Sequence, residues 1–480
     1  MFDTKEYFSL PTKKYAALAA IADHTGIRYT YSDIGNIANS KFFKDLFRKV
    51  VLCPLSNEVE CLALYFSLLS SGAIPILTSF EMNDISYNRL KRRYKPYAEL
   101  VLLKDLRPTD SYFTSKLLNK FTIKIVNEKD TNYEIDTELS LMFATSGSTG
   151  SSKYVKISHR NIVSNTEAIK TYLKIEQSDS VITTLPPSYT FGASVLHTHF
   201  VSGCLVVCTQ ASLFQNDFWQ IMQDFGITTF NGVPFHYQML HRIKFHQKYL
   251  PQLKNFTQAG GKMSVKLKQY LIDYCNSRSA SFYVMYGQTE ASPRISYADM
   301  QSLCLKPETI GKGILGCELT LEDEQGRRIT NPYETGELIV EGDNVCLGYA
   351  YSVNDLANND QFNGRLHTGD FSYFDEAGYF YVVGRKSRFI KITGRRMNLD
   401  DVQNIITELG IENVCVGTDD LLKIGCVGLS NQGKKELIIK LMERLNLPKS
   451  SIKVFSLEKI EKTISGKIAY FENDRKMMVL

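Results

Sequence analysis

An α/β protein with more than one domain is what this sequence predicts, and three observations predict it. Apolar strand-like runs alternate with amphipathic stretches, the pattern changes near residue 310 to short strands with Gly and Asp/Asn turns, and 480 residues exceed what one core accommodates. Val50-Val51-Leu52 precedes a helix-like 57–70, Val181-Ile182-Thr183-Thr184-Leu185 precedes 192–200, and Phe282-Tyr283-Val284-Met285-Tyr286 leads into a candidate site loop. Largely parallel sheets flanked by helices are expected, with ligands gathering at the strand ends. Residues 61–80 carry no formal charge, but Ser70-Ser71-Gly72 interrupts them and Pro75 follows. That predicts a buried helix, a turn and a short strand, with no membrane span. Beyond 310, Glu322-Asp323-Glu324-Gln325-Gly326 and Asp375-Glu376-Ala377-Gly378 read as turns of a β-rich lobe.

Composition narrows the function class. With 44% hydrophobic and 22% charged residues the chain reads as soluble and globular. A net charge of +5 with no basic stripe argues against a nucleic-acid partner. The ten cysteines form no Cys-x-x-Cys, and Cys204 and Cys208 flank the apolar Leu205-Val206-Val207, so buried thiols in a reducing compartment are expected. Met1 to Glu6 lack the apolar core of a signal peptide, and a cytoplasmic protein is expected.

The most informative segment is Thr145-Ser146-Gly147-Ser148-Thr149-Gly150-Ser151-Ser152-Lys153, directly after the apolar Leu141-Met142-Phe143-Ala144. A strand feeding a loop of small hydroxyl and glycine residues offers N–H and O–H donors to phosphate oxygens, and Lys153 adds a positive charge. The Walker pattern is excluded, because Ser152-Lys153-Tyr154 stands where Gly-Lys-Ser/Thr is required.

Four further segments follow in order: Tyr286-Gly287-Gln288-Thr289-Glu290, His367-Thr368-Gly369-Asp370, Gly384-Arg385 running to Ile390-Lys391 and Gly394, and Thr463-Ile464-Ser465-Gly466-Lys467. Together with the 145–153 loop they resemble the superfamily of AMP-forming acyl- and aryl-CoA synthetases, peptide-synthetase adenylation domains and luciferases. Tyr29-Thr30-Tyr31-Ser32-Asp33-Ile34, Gly336-Glu337-Leu338 and Gly348-Tyr349 look like its weaker landmarks. The resemblance implies a large adenylate-forming domain over 1–386 and a small mobile α+β lid over 387–480. Ser387 stands at the hinge position, often Asp or Lys in relatives.

It also implies roles. ATP would join a carboxylic acid as acyl-AMP with loss of pyrophosphate, and the site must supply cations and N–H donors to that charge. Thr289 would donate to phosphate and Glu290 would ligate Mg²⁺. Tyr286, beside Gly287, would pack on adenine, Asp370 would accept the ribose hydroxyls, and Arg385 would complete those contacts. Lys467 would bridge the acid's carboxylate and the α-phosphate. After rotation of the lid, Lys391 and Gly394 would face the pantetheine thiol, with Arg396 assisting at phosphates.

Tyr189-Thr190-Phe191-Gly192-Ala193-Ser194 bears on the acid. Adenylation domains for α-amino acids place aspartate where Gly192 stands, so an α-amino acid is not expected. Tyr189 stands where many acyl-CoA synthetases place His. His197, His199 and Phe200 could line a pocket or pack a core, and 230–237 with 258–263, including Gly260 and Gly261, look like further walls. Thirteen residues follow Lys467, so the thiol is expected in trans, on CoA or on a discrete acyl carrier protein. The net charge of +4 over 387–480 suits either. The competing reading is a luciferase-like or adenylate-binding protein with no thioester step.

Overall fold

The computed structural model describes residues 3–127, 133–144, 153–393, 395–462 and 468–479, with the backbone alone at 395, 396 and 479. Its described residues fall into two compact units, one built from 3–144, 153–319 and 340–366, the other from 320–339 and 367–479.

Two twisted sheets with parallel centres organise the first unit, as the alternating pattern predicts. One runs Gly348–Ala350, Tyr154–Ser158, Leu139–Ala144, Ile74–Ser79, Val50–Leu55, Ala98–Leu102, Phe121–Ile125, parallel in the middle and antiparallel at both edges. The other runs Lys312–Gly313, Arg294–Ala298, Ser281–Gly287, Asn255–Gln258, Thr229–Gly232, Ser180–Ile182, Leu205–Val207, Ala19–Ala22, Arg28–Thr30, with five consecutive parallel pairings at its centre. The uncharged stretch 61–80 is the helix Val59–Ser71, a left-handed Gly72 and the strand Ile74–Ser79. Every residue of that helix is buried, which is why its apolar pattern runs all the way round. The Thr30 landmark is a capping box, with the Thr30 and Asp33 side chains each satisfying the other's backbone at the start of Tyr31–Asn39.

The second unit is β-rich and then α+β. A five-stranded sheet is ordered Arg328–Ile329, Cys317–Glu322, Gly336–Gly342, Arg365–Phe374, Phe380–Arg385, and both predicted turns join its neighbouring strands. A short ribbon, Phe389–Ile392 with Arg395–Asn398, leads to a three-stranded sheet of Asn413–Thr418, Leu421–Val427 and Ile452–Leu457. The last two are parallel, and the helix Asn431–Leu445 makes the crossover.

No helix of the described residues is long and apolar enough to cross a membrane. Eight of the ten cysteines are buried and all are free, as expected of thiols that pack as small hydrophobes. Cys304 departs from this, exposed on the short helix Met300–Leu305.

Candidate active site

The site of the first unit grows from the end of strand Ser281–Gly287. A Cβ at Gly287 would stand 1.6 Å from the carbonyl oxygen of Pro293, so the chain can double back there only through glycine. The turn delivers Thr289 and Glu290 on a 3₁₀ segment, Thr289–Ala291. The buried Thr289 hydroxyl lies 3.5 Å from that of Thr190, the first residue of helix Thr190–Val201. Glu290 is half-buried; its backbone carbonyl accepts from Cys346 N at 2.9 Å, and one carboxylate oxygen accepts from the Tyr349 hydroxyl at 2.9 Å. Its other carboxylate oxygen meets no donor among the described residues.

Burial, and then the Glu290 charge beside it, push the Tyr349 hydroxyl well above its ordinary range, so it stays protonated and donates. Lys153 Nζ sits 3.5 Å from the centre of the Tyr349 ring, a cation–π contact. Lys153, Tyr349 and Glu290 thus form one chain of contacts. Tyr349 was legible only as the second half of the Gly348-Tyr349 landmark. Tyr286 is half-buried against the cluster around Ala291 and Ile295.

Around the acid segment, Tyr189 N donates to Pro186 O at 3.0 Å and Tyr189 O accepts from Ala193 N at 2.9 Å. A Cβ on Gly192 would stand 2.2 Å from Pro186 O, so packing alone demands glycine there. Aspartate at 192 could not be accommodated without moving the backbone, which adds a steric reason to the missing counter-charge. Gly260, at φ +83°, approaches Tyr189 closely enough that a Cβ would lie 2.9 Å from the phenol oxygen. Gly261 is exposed beside Pro234. His197, His199 and Phe200 take the packing alternative. The Tyr65 hydroxyl bonds His197 Nε2 at 2.7 Å, His199 Nδ1 bonds Val195 O at 2.8 Å, and Phe200 stacks on Phe66 at 3.9 Å.

Sequence reasoning passed over one residue of this corner, Arg294. It opens the strand Arg294–Ala298, is only 3% exposed, and lays its guanidinium 4.2 Å from the centre of the Phe191 ring. The available signal was a lone charge four residues after Glu290, at the head of the otherwise uncharged Ile295-Ser296-Tyr297-Ala298.

In the second unit, Asp370 and Arg385 face each other across the antiparallel pair Arg365–Phe374 and Phe380–Arg385, with Arg385 Nε 3.1 Å from Asp370 Oδ1. Thr368 holds the preceding turn by donating to Leu338 O at 2.8 Å and accepting from Asp370 N at 3.1 Å. Lys391 is exposed on the ribbon, whose backbone is tied down at Lys391 N to Asp419 Oδ1, 2.8 Å, and at Lys391 O to Asp420 N, 2.7 Å. Arg388, directly after Ser387, is buried: Nε bonds Asp400 Oδ1 at 2.8 Å, Nη1 bonds Cys415 O at 2.6 Å, and the guanidinium stacks on Tyr470 at 3.8 Å. Thr145, Ser146, Gly147, Ser148, Thr149, Gly150, Gly394 and Lys467 lie outside the described residues, as does the side chain of Arg396.

These groups fit the ligands that the motifs imply. An oxygen of Glu290 without a donor among the described residues, on a half-open carboxylate, suits a hard divalent cation. The Gly287 turn against Pro293 leaves backbone, without side chain, at the approach to Thr289.

The chain belongs to the AMP-binding enzyme family, whose model matches residues 98–350. It is 28% identical over 382 residues to oxalate–CoA ligase of Arabidopsis thaliana, covering 75% of this chain and 73% of that one. It is 26% identical over 363 residues to a 2-succinylbenzoate–CoA ligase of Bacillus cereus, covering 73% and 71%. In fold it is similar to o-succinylbenzoate CoA synthetase from Bacillus subtilis bound to its acyl-adenylate intermediate. The TM-score is 0.74 at 19% identity, over 98% of each chain. The same synthetase with ATP and magnesium ion superposes at a TM-score of 0.73 and 19% identity, over 97% of this chain and 98% of that one.

Proposed function

We propose that this protein activates a carboxylic acid lacking an α-amine as its acyl-adenylate and then transfers the acyl group to the thiol of CoA. The observation that carries this reading is the Lys153–Tyr349–Glu290 chain beside Thr289, where a cation, a neutral donor and a half-satisfied carboxylate converge. In the first step a carboxylate oxygen bonds to the α-phosphorus of ATP, the bridging P–O bond to the β-phosphate breaks, and pyrophosphate leaves. In the second, the thiol sulfur bonds to the acyl carbon, AMP leaves, and the thiol proton passes to solvent.

Thr289, with the 145–150 loop and Lys153, would hold the phosphates. Glu290 would ligate Mg²⁺, which when bound offsets phosphate charge. Tyr286 and Gly287 would border adenine, Asp370 and Arg385 the ribose, and Tyr189, Gly192, Gly260 and Gly261 the acid. CoA is favoured over a carrier protein because the relatives are named CoA ligases. Residues 1–386 and 387–480 would act as two domains, the second exchanging Lys467 for Lys391, Gly394 and Arg396 between the steps. The protein would work in the cytoplasm.

The test is the separation of half-reactions. Lys467→Ala should lose adenylation by roughly two orders of magnitude or more while still passing a preformed acyl-adenylate to CoA. Lys391→Ala should do the reverse and accumulate adenylate. Equal loss of both steps in each variant would refute the two-state lid.

A further inference from the structure

Among the described residues Arg294 has no counter-ion. Its Nε donates to the sulfur of Met285 at 3.3 Å, its plane lies on Phe191, and the hydroxyls of Tyr172 and Tyr189 are its other polar neighbours. No carboxylate among the described residues pairs with it. An arginine cannot shed its proton to escape this, and a buried charge without a partner is costly. The aromatic face, the thioether and the phenols each offset only part of that cost. Burial lowers its pKa, and Tyr172 and Tyr189 are the first groups that oppose the shift.

The position of this charge gives it a use. Phe191, which carries the guanidinium, stands between Thr190, whose hydroxyl is 3.5 Å from Thr289, and Gly192, which abuts Pro186. Tyr189, one residue further back, touches Gly260. The residues around Arg294 are therefore those of the acid segment.

We propose that Arg294 determines substrate specificity by binding a second anionic group on the acid, so that the substrate is a dicarboxylic acid or an aromatic acid bearing a further carboxylate. A carboxylate fits the guanidinium fork through two parallel hydrogen bonds and supplies the charge that the protein withholds. The same cation repels an ammonium, a stronger reason than Gly192 alone for rejecting α-amino acids. This inference rests on the acid-activating function proposed above and specifies its substrate.

The test compares ATP–pyrophosphate exchange with succinate, glutarate and phthalate against exchange with their monoamides, on wild type, Arg294→Gln and Arg294→Lys. Wild type should prefer the best diacid over its monoamide by roughly 100-fold or more in kcat/KM, because the uncharged partner leaves the guanidinium unpaired. Arg294→Gln should collapse that ratio to within a few-fold, chiefly through KM for the diacid, and Arg294→Lys should keep part of it. Equal use of diacids and monoamides by wild type, or an unchanged ratio in Arg294→Gln, would overturn the proposal. Wild type decides the matter even if the glutamine variant does not fold. Exchange with monoamides or monocarboxylates alone sinks this inference and leaves acid activation standing; no exchange with any acid removes both.

Discussion

Two corners of the first unit, joined by the short run from Glu290 to Arg294, treat charge in opposite ways. At Glu290 the carboxylate takes a donor from Tyr349, and Tyr349 in turn carries Lys153 on its ring, so the protein balances most of its own charge. At Arg294 the guanidinium is buried among Phe191, Met285 and tyrosines with no acid beside it among the described residues. The half-open corner holds the groups proposed above for phosphate and a divalent cation. The buried one is the corner proposed to bind a second anionic group on the acid. On the functions proposed above, the difference places the reaction on the motif residues and selectivity a few residues beyond the motif's end.

The largest effect should come from the balanced corner. Glu290→Gln keeps the shape and the Tyr349 contact but removes the charge, and adenylation should fall by roughly 10²–10³-fold. Titrating Mg²⁺ checks the cause. The variant should need far more ion for half-maximal exchange, and an unshifted Mg²⁺ dependence would take the metal away from Glu290.

A second prediction sharpens the contrast with Arg294. Burial strips the charge from the histidines of helix Thr190–Val201, lowering His197 from 6.5 to about 3 and His199 to about 4. Arginine has no such exit. Because the folded pKa values are depressed, the unfolded chain binds protons first as pH falls. Stability is therefore whole above about pH 6.5 and declines toward pH 4, by about 1.4 kcal/mol per pH unit for each histidine. Urea midpoints between pH 7.5 and 5 report it, and His197→Gln should shallow the slope. A slope unaffected by that change would mean His197 is not held neutral.

The smallest effect concerns Gly192. Gly192→Ala adds only a methyl group, yet its Cβ would lie 2.2 Å from Pro186 O, so a stability loss of about 1–3 kcal/mol is expected. A fully stable Gly192→Ala would show that the contact relaxes freely and return the weight of the argument to charge.

How much of this was readable in advance follows from the same contrast. The parallel sheets, the helix–turn–strand of 61–80 and the β-rich lobe were legible because apolar period and Gly/Asp turns report local structure directly. Thr289, Glu290 and Asp370 could be named in advance because they stand in ordered motifs, and their phosphate, metal and ribose roles are the ones proposed above. Arg388 was not legible, and Tyr349 was legible as a landmark but not as a contact of Glu290, since their partners lie 27 positions away at Cys415 and 59 away at Glu290. Gly192 was read as a missing charge, whereas its contact with Pro186 depends on how one helix start folds back on the preceding turn. Arg294 was passed over, and its burial and the absence of an acid partner among the described residues are what distinguish it.

Acid activation followed by capture on CoA stands or falls on acid-dependent exchange of labelled pyrophosphate into ATP. Wild type should be run with acyl, aryl, hydroxy, dicarboxylic and α-amino acids in parallel, with CoA then added. Acid activation requires robust exchange with an acid lacking an α-amine and conversion of that acid to its CoA thioester. Strongest exchange with a proteinogenic amino acid, or an adenylate that CoA never discharges, would contradict it.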